Sequence, residues 1–288
     1  MARRGRSAAA CIIVHMSTKP ICIYHSNCPD GFTAAWVAYH AFHGDIDLHG
    51  GTHQSGPPDV TDRDVYMVDF SYRRQVLAAM RDRARRVVVL DHHKTAEAAL
   101  RGLPGIETVF DMNRSGARIA WDYWNAEIPY PKPLLHVEDH DLWYLALPLT
   151  REIYANISSH PYQIPVWDRL MATEPRELAK EGEPILRKQL KDVRELLPET
   201  TRRMNIAGHN VPIANLPYTH VNDAAHLLCE GEPFAGCYWD TPYGRVFDLR
   251  SSDAGVDVSE IAEQFGGGGH RNAAGFRLPY EAAATFEA

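Results

Sequence analysis

The sequence predicts an α/β protein, with an N-terminal parallel-sheet domain and a smaller C-terminal α/β or α+β domain joined by a helical linker. Three observations support this fold class. Short apolar runs alternate with helical patterns in the first half, a long charged segment follows, and shorter strand-like runs come last. The 288 residues are enough for two domains of ordinary size.

Three short apolar runs of the first domain are predicted to be buried strands, at 21–24, 65–68 and 87–90. Segments with helical spacing lie at 31–42, 73–85, 115–124 and 134–143. Polar residues follow each strand: His25 the first, Asp69 the second and Asp91 the third. Ligands of open α/β sheets bind at the carboxyl ends of the strands, so these side chains are expected to converge on one site.

The second half begins with a segment rich in Glu, Lys, Arg and Leu at 174–203. It predicts a long exposed helix between the domains, with Pro184 and Pro198 as kinks or ends. The elements expected after it are strands at 210–216, 234–239 and 245–249 and a helix at 258–265. The predicted divisions are an extension at 1–17, a first domain at 18–170, a linker at 171–204 and a second domain at 205–288.

The extension has a basic start and a short apolar run that polar residues end at once. It is expected to be a disordered or mis-started segment, with a targeting peptide as the alternative. No apolar run reaches the ~18 residues that span a bilayer, so no membrane association is expected. Five cysteines without the spacing of a small secreted domain indicate reduced thiols in a cytoplasmic protein.

The formal net charge of −7 excludes an overall basic field, and with it a long duplex-DNA track. A small anionic substrate is still compatible with this charge, because local cations and metal ions outweigh a global charge.

Metal-binding residue types cluster at the strand ends. The run Asp91-His92-His93 joins one carboxylate to two imidazoles, a mixture that suits Mn²⁺, Fe or Zn²⁺ better than Ca²⁺. The turn from His25 to Gly31 adds an imidazole and the carboxylate of Asp30. Gly31 lets the backbone bend closely around an ion or a phosphate. Any one short motif matches by chance, but several strand ends supply the same chemistry.

Two further carboxylates fit this hypothesis. Asp69 is the candidate for a carboxylate that bridges two ions, since two ions about 3.5–4 Å apart can clamp a phosphate and activate a water. Asp139 lies in a polar run, 137–143, that apolar residues flank.

Anion-binding candidates occur in both domains, each with a simpler alternative. Gly267, Gly268 and Gly269 expose backbone N–H groups beside His270, or form a flexible loop. Arg250 ends a predicted strand and could hold a phosphate, or form a surface ion pair. Arg114 and Ser115 begin a helix whose N–H groups favour anions, or Ser115 is an ordinary N-cap.

Taken in order, these motifs resemble the DHH phosphoesterase superfamily: the His25 to Gly31 turn, the lone Asp69, the Asp-His-His run and a later Asp. The glycine-rich run 266–275 resembles the signature of the DHH-associated C-terminal domain. The resemblance covers roughly 20–280. Within the superfamily, the chain looks like the branch labelled exopolyphosphatase-related, which is similar to the nanoRNases.

The resemblance implies two divalent ions, with Mn²⁺ expected and Mg²⁺, Co²⁺ or Zn²⁺ as alternatives. The implied ligands are His25, Asp30, Asp69, His92 and Asp139. In the catalytic roles that it implies, Asp91 would support His92, and His93 would face the scissile phosphate.

The chain departs from the superfamily at one position. The usual first motif is Asp-x-Asp-Gly, and here Cys28 stands where the first Asp is expected. A thiolate favours Zn²⁺ over Mn²⁺, whereas a neutral thiol barely binds metal. Cys28 as a ligand and Cys28 as a neighbour of the ligands both remain open.

The function expected is hydrolysis of phosphodiester bonds in short oligonucleotides or small nucleotides, at a site between the domains. One alternative is an exopolyphosphatase or pyrophosphatase acting on phosphoanhydrides. Another is a non-catalytic nucleotide-binding protein with a degenerate site, which only the Cys28 change favours. A homodimer is also left open.

Overall fold

The computed structural model describes residues 18–52 and 56–287, so the predicted extension 1–17 lies outside the described residues. The described chain forms two lobes, each built on its own sheet. This confirms the predicted fold class, a parallel-sheet domain followed by a second domain with a sheet of its own. Among the described helices, none is both long and apolar enough to cross a membrane.

The first lobe contains a five-stranded parallel sheet in the order β2-β1-β3-β4-β5. Its strands are β1 Ile21–His25, β2 Asp47–Gly51, β3 Asp64–Val68, β4 Arg86–Asp91 and β5 Glu107–Phe110. The apolar runs predicted as strands are β1, β3 and β4, the three central strands. The sequence does not predict β2 or β5, because β2 reads Asp-Leu-His-Gly-Gly and β5 is a largely exposed edge strand.

Helices cover both faces of this sheet. They are α1 Pro29–Ala41, α2 Arg74–Arg81, α3 Lys94–Leu100, α4 Gly116–Asn125, α5 Lys132–Asp141, α6 Thr150–Ser158 and α7 Ile164–Ala172. Strand residues alternate between two cores. Cys22 faces the core that α1 and α4–α7 cover, whereas Ile21 and Ile23 face the core that α2 and α3 cover.

The second lobe contains a six-stranded mixed sheet in the order β10-β11-β9-β8-β7-β6. Its strands are β6 Thr201–Ile206, β7 His209–Asn215, β8 Ala235–Thr241, β9 Gly244–Arg250, β10 Gly268–His270 and β11 Ala273–Leu278. Its helices are α9 Val221–Leu228, α10 Val258–Gln264 and α11 Tyr280–Ala283, with short 3₁₀ turns at Tyr218–His220 and Ala284–Glu287. The α10 and α9 helices lie on opposite faces of the sheet.

One helix, α8 Pro175–Thr200, joins the lobes and belongs to both. Leu178 and Ala179 near its start lie in the core of the first lobe, and Val193 near its end lies in a core of the second. Pro184 and Pro198 both lie inside the helix, so neither ends it. The second sheet begins at Thr201, within the range predicted as linker.

The helix α8 approaches the first lobe very closely at Gly182. A Cβ at this position would lie 1.8 Å from the backbone oxygen of Glu152 in α6. We expect Gly182→Ala to lower the free energy of unfolding by about 1–3 kcal/mol or more, as overpacking does. Denaturant unfolding measures this. Glu183→Ala, on the exposed face of the same helix, is the control and should stay within about 0.5 kcal/mol of wild type. Equal stability of both variants would contradict this packing.

Candidate metal-centred active site

Asp69 stands at the carboxyl end of β3, the central strand of the first sheet. Its backbone is left-handed, with φ +52, and its N–H donates to the Leu90 carbonyl at 2.9 Å. Gly116, the first residue of α4, packs against it so closely that a Cβ there would lie 2.3 Å from the Asp69 Cβ. The side chain is 2% exposed. The fold therefore holds a carboxylate in a fixed, buried position at the sheet edge.

The two oxygens of this carboxylate face different imidazoles. Oδ1 lies 3.1 Å from His92 Nε2, and Oδ2 lies 3.6 Å from His25 Nδ1. Oδ2 is buried and has no hydrogen-bond partner. Burial acts to raise the pKa of Asp69, but interactions with His25 and His92 outweigh it and hold the pKa below its usual range. An ionised carboxylate with a free buried oxygen is what a metal ligand requires.

Two of the four groups of potential ligand atoms found among the described residues lie on either side of the Asp69 carboxylate. His25, Cys28 and Asp69 each place one such atom within 4.8 Å of the others, and Asp30, His92 and Asp141 do the same. The 3.1 Å contact between His92 and Asp69 joins the groups. Imidazole nitrogen and carboxylate oxygen together fit divalent transition metals, so the chemistry of the donors suits the predicted ions.

Asp30 enters the site from the first turn of α1. Both of its oxygens accept from the Ala117 N–H, at 3.1 and 3.2 Å. Burial, and then the charges of Asp141 and Asp69, raise its pKa well above the usual value. Gly31 is required beside it, because a Cβ at Gly31 would lie 2.4 Å from the His25 carbonyl oxygen. Gly31 was expected to let the backbone bend around an ion or a phosphate, and here it packs closely against the backbone of His25.

Asp141, the last residue of α5, is the carboxylate that the sequence does not single out. Its Oδ2 lies 3.5 Å from His92 Nε2. Burial, followed by the charge of Asp69, raises its pKa to about 8. Crowded buried carboxylates shift in this direction when no cation offsets them.

The structure corrects the expectation for Asp139, which it does not bring to either group. Its oxygens accept from the backbone of Ala146 and Leu147, at 2.9 and 3.0 Å, and from the Thr150 hydroxyl at 2.6 Å. Asp139 therefore holds the loop that follows α5. Residues two apart on a helix face in different directions, which separates Asp139 from Asp141. The sequence of this segment does not predict whether Asp139 or Asp141 accepts from the Thr150 hydroxyl.

Asp91 supports a different imidazole from the one expected. Its Oδ1 lies 2.7 Å from the ring nitrogen Nδ1 of His93, whereas from His92 it accepts the backbone N–H, at 2.8 Å. Burial acts to lower the pKa of His93, but Asp91 overcomes this and raises it to about 9. His93 is therefore oriented and charged by Asp91, while His92 turns toward Asp69.

The second lobe closes over these groups through β10. The His270 ring stacks on His93 with centroids 4.4 Å apart and lies 4.6 Å from His92. Burial, and then the neighbouring His93 and His92, lower the pKa of His270 well below its usual value. The Gly269 N–H donates to the Thr95 hydroxyl of α3 at 3.0 Å, and the Lys94 ammonium donates to Asp257 at 2.5 Å.

The glycines predicted as an anion loop have fixed places. Gly268 and Gly269 belong to strand β10, so the flexible-loop alternative does not describe them. A Cβ at Gly268 would lie 2.6 Å from the Thr95 hydroxyl, and one at Gly267 would lie 2.0 Å from the Gly275 carbonyl oxygen. Glycine at these positions lets β10 approach both its own sheet and the first lobe.

The cationic candidates have different outcomes. Arg250 is 12% exposed, is ion-paired with Asp248 and is hydrogen-bonded to Asn222 at 2.5 Å, and its charge acts to lower the pKa of Asp141 in the first lobe. Arg114 is exposed and pairs with Asp111 and Asp122, at 3.1 and 2.7 Å.

Ser115 is fully buried and accepts from the Arg118 N–H, at 3.3 Å. Ser115 is thus the N-cap of α4, the simpler of the two alternatives. The phosphate contact predicted for Arg114 stays a prediction.

A stack that the sequence does not predict also joins the lobes. Trp143, just after α5, stacks on His226 of α9 with centroids 3.9 Å apart. Burial, with the charges of Arg250 and Arg151, lowers the pKa of His226 to about 4. Trp143 has a left-handed backbone, with φ +56, which is unusual for a bulky residue. Such strain is found mainly near functional sites.

Comparison with known proteins finds similarities for both lobes. Residues 244–287 match the DHHA1 domain. Uncharacterized protein R106 of Acanthamoeba polyphaga mimivirus is 29% identical over 293 residues, covering 91% of this chain and 69% of that protein. The DHH domain of a protein assigned to a ribosomal-protein family has a TM-score of 0.60 at 13% identity, covering 92% of this chain and 83% of that one. RecJ from Thermus thermophilus with Mn²⁺ has a TM-score of 0.53 at 16% identity, covering 93% of this chain and 50% of that one.

The predicted resemblance to the DHH superfamily is therefore confirmed, because residues 244–287 match the DHHA1 domain and the fold of the chain is similar to that of a DHH domain and of RecJ. The branch within the superfamily stays a prediction.

The different surroundings of Asp139 and Asp141 generate a test. We expect Asp141→Asn to lower metal affinity at least about tenfold while the protein stays folded, since it removes a charged ligand. Asp139→Asn should keep the metal sites but lower the free energy of unfolding by about 1–3 kcal/mol, because three donors lose a charged acceptor. Metal titration calorimetry and thermal unfolding separate the two effects. The reverse pattern would restore Asp139 as the ligand.

The Asp91–His93 pair can be tested in the metal-free protein. The raised pKa means that the stability due to protonated His93 is fully present below about 6.5, the ordinary histidine value. It is lost as pH rises through about 9, the pKa of His93 in the folded protein. NMR titration of the ring protons should show this pKa, and Asp91→Asn should bring it back toward the ordinary value. An unchanged titration in the variant would rule out Asp91 as the cause.

Proposed function

We propose that the protein is a metal-dependent phosphoesterase that hydrolyses phosphodiester bonds of short oligonucleotides or small nucleotides with two divalent ions. One observation carries the proposal. A single buried carboxylate, Asp69, has one oxygen 3.1 Å from His92 and the other 3.6 Å from His25, so it faces two separate ligand groups. A shared carboxylate is the central ligand of a two-metal phosphoryl site.

The residues on each side of Asp69 would hold one ion each. His25 belongs to the first side, and Asp30, His92 and Asp141 belong to the second. Bound ions supply Lewis-acid stabilisation of the phosphate and an activated water. The raised pKa values of Asp30 and Asp141 support this use, because they result first from burial and then from neighbouring negative charges, and a bound cation offsets both.

His93 and His270 contribute the chain's own part of the chemistry. Asp91 keeps His93 protonated, and its side chain is 23% exposed, so the imidazolium can reach an anionic ligand. His270 stacks on it from the second lobe. His93 would donate a hydrogen bond to the phosphate or a proton to the leaving oxygen. His270 would complete this contact only when the lobes are together.

The contacts between the lobes support a small substrate. His270 covers the two histidines of the first lobe, while Thr95 and Lys94 bind the second lobe directly. With a formal net charge of −7, the chain also lacks the positive field that long duplexes require. The arrangement favours a short strand or a mononucleotide-sized ligand, with Arg250 near the part of the substrate beyond the metals.

The exonuclease named among the similar folds, RecJ, was solved with Mn²⁺, which is in keeping with the proposed ion. The non-catalytic alternative requires a broken site. It is disfavoured because His25, Asp30, Asp69, His92 and Asp141 all meet at the sheet edge.

The central carboxylate gives the main test. Asp69→Asn keeps the size of the side chain but removes its charge, so it should weaken both ions and reduce diester hydrolysis at least about a hundredfold. Asp59→Asn, on the exposed surface, is the control and should leave activity unchanged. Full activity of Asp69→Asn, with the fold intact by circular dichroism, would overturn the proposal.

A substrate panel with Mn²⁺ defines the bond that is cleaved. Short RNA, cyclic dinucleotides, 3′-phosphoadenosine-5′-phosphate, polyphosphate and pyrophosphate should be compared at equal concentration, with and without chelator. We expect the short diesters to be turned over fastest and the chelator to abolish turnover. Preference for polyphosphate or pyrophosphate would instead assign the protein to phosphoanhydrides.

A further inference from the structure

Cys28 lies on one side of the shared carboxylate, immediately before α1. Its side chain is half-buried, and its backbone is extended, with φ −125 and ψ 126. Its Sγ lies within 4.8 Å of ligand atoms of both His25 and Asp69. The other cysteines that the structure describes, Cys22, Cys229 and Cys237, are buried hydrophobic residues and belong to none of the ligand groups. Cys28 is thus placed as a ligand rather than as a core residue.

A second observation points to an ion on this side. Asp69 is 2% exposed, and its Oδ2, the oxygen facing His25, is buried without a hydrogen-bond partner. An unsatisfied carboxylate oxygen in a protein interior is costly unless a cation occupies the space that it faces. Nitrogen, sulfur and oxygen donors therefore surround a position that requires positive charge.

We propose that Cys28 binds as a thiolate and that the two metal positions are chemically unequal. The site of His25, Cys28 and Asp69 would take Zn²⁺, while the site of Asp30, His92 and Asp141 would take Mn²⁺ or Mg²⁺. This inference rests on the proposed two-metal function and adds the identity of the ions. On binding, the thiol proton passes to solvent as the S–H bond is replaced by a sulfur–metal bond.

Softness of the donors, rather than charge, separates the sites. A thiolate carries the same charge as the carboxylate of the superfamily motif, so Cys28 leaves the electrostatics of the first site nearly unchanged. Sulfur, however, is a soft donor that selects Zn²⁺, whereas carboxylate oxygens suit Mn²⁺ and Mg²⁺. One nitrogen, one sulfur and one oxygen, with a fourth position for water, is also the ligand number of a catalytic zinc site.

The test uses the full-length metal-free protein and measures binding rather than turnover. One equivalent of Zn²⁺ per chain and a large excess of Mn²⁺ are added, because Zn²⁺ in excess would fill both sites. Unbound ions are then removed, and bound metals are counted by mass spectrometry. We expect one Zn²⁺ and one Mn²⁺ per chain. Co²⁺ added in place of Zn²⁺ should give the near-ultraviolet charge-transfer absorption of a thiolate–cobalt bond.

Three variants make the result specific. Cys28→Ser should lose the thiolate–cobalt absorption and bind Zn²⁺ more weakly by about ten- to a hundredfold. Cys28→Asp should lose the absorption and retain less Zn²⁺ than wild type against the same excess of Mn²⁺. Cys229→Ser, which changes a cysteine outside the ligand groups, should match wild type in metal content and absorption. Circular dichroism checks that each variant is folded.

Cobalt absorption that persists in Cys28→Ser would overturn the inference, as would two Mn²⁺ and no Zn²⁺ in wild type. In either case diester hydrolysis that depends on Asp69 would leave the proposed function standing. Failure of the wild-type protein to bind any divalent ion would reject both.

Discussion

Burying a carboxylate costs free energy unless other groups offset its charge. The first lobe buries one, Asp69, at the centre of its sheet edge. Asp69 has the left-handed backbone that Asp tolerates better than most residues, and this turns its side chain from the end of β3 into the space beside β1 and β4. Its backbone bond to Leu90 fixes the turn, and Gly116 leaves no room for movement. The two histidines on either side then hold the charge. Residues of α1, α4 and the Asp-His-His run all lie within contact distance of this carboxylate or of its neighbour Asp30.

The sequence predicts the strands correctly where both faces of the strand are buried. The strands β1, β3 and β4 are buried on both faces and read as unbroken apolar runs, whereas the edge strands β2 and β5 lack such runs. The sequence could not predict the contacts that Thr95 and Trp143 make with the second lobe, for a different reason. Each depends on which part of the second lobe comes to lie against the first, and no local pattern records that.

The candidate site was predicted where a motif fixes the residue and missed where the direction of a helical side chain decides. His25, Asp69 and His92 lie at strand ends, where the sheet sets the direction of the side chain, and Asp30 lies in the first turn of α1, soon after β1. Asp139 and Asp141 lie on the last turn of α5, where sequence proximity conceals a large difference in direction. Only the Thr150 hydroxyl and two loop amides decide that Asp139 is structural.

The helix α8 is packed against the first lobe in its first half and against the second lobe in its second half. Gly182 fixes its first half to α6, and Val193 anchors its second half among residues of the other lobe. Between these two packing contacts, Pro184 has no N–H to donate, so the helix lacks one backbone hydrogen bond there. A change in the angle between the lobes would bend α8, and the bend would fall most easily where this hydrogen bond is missing.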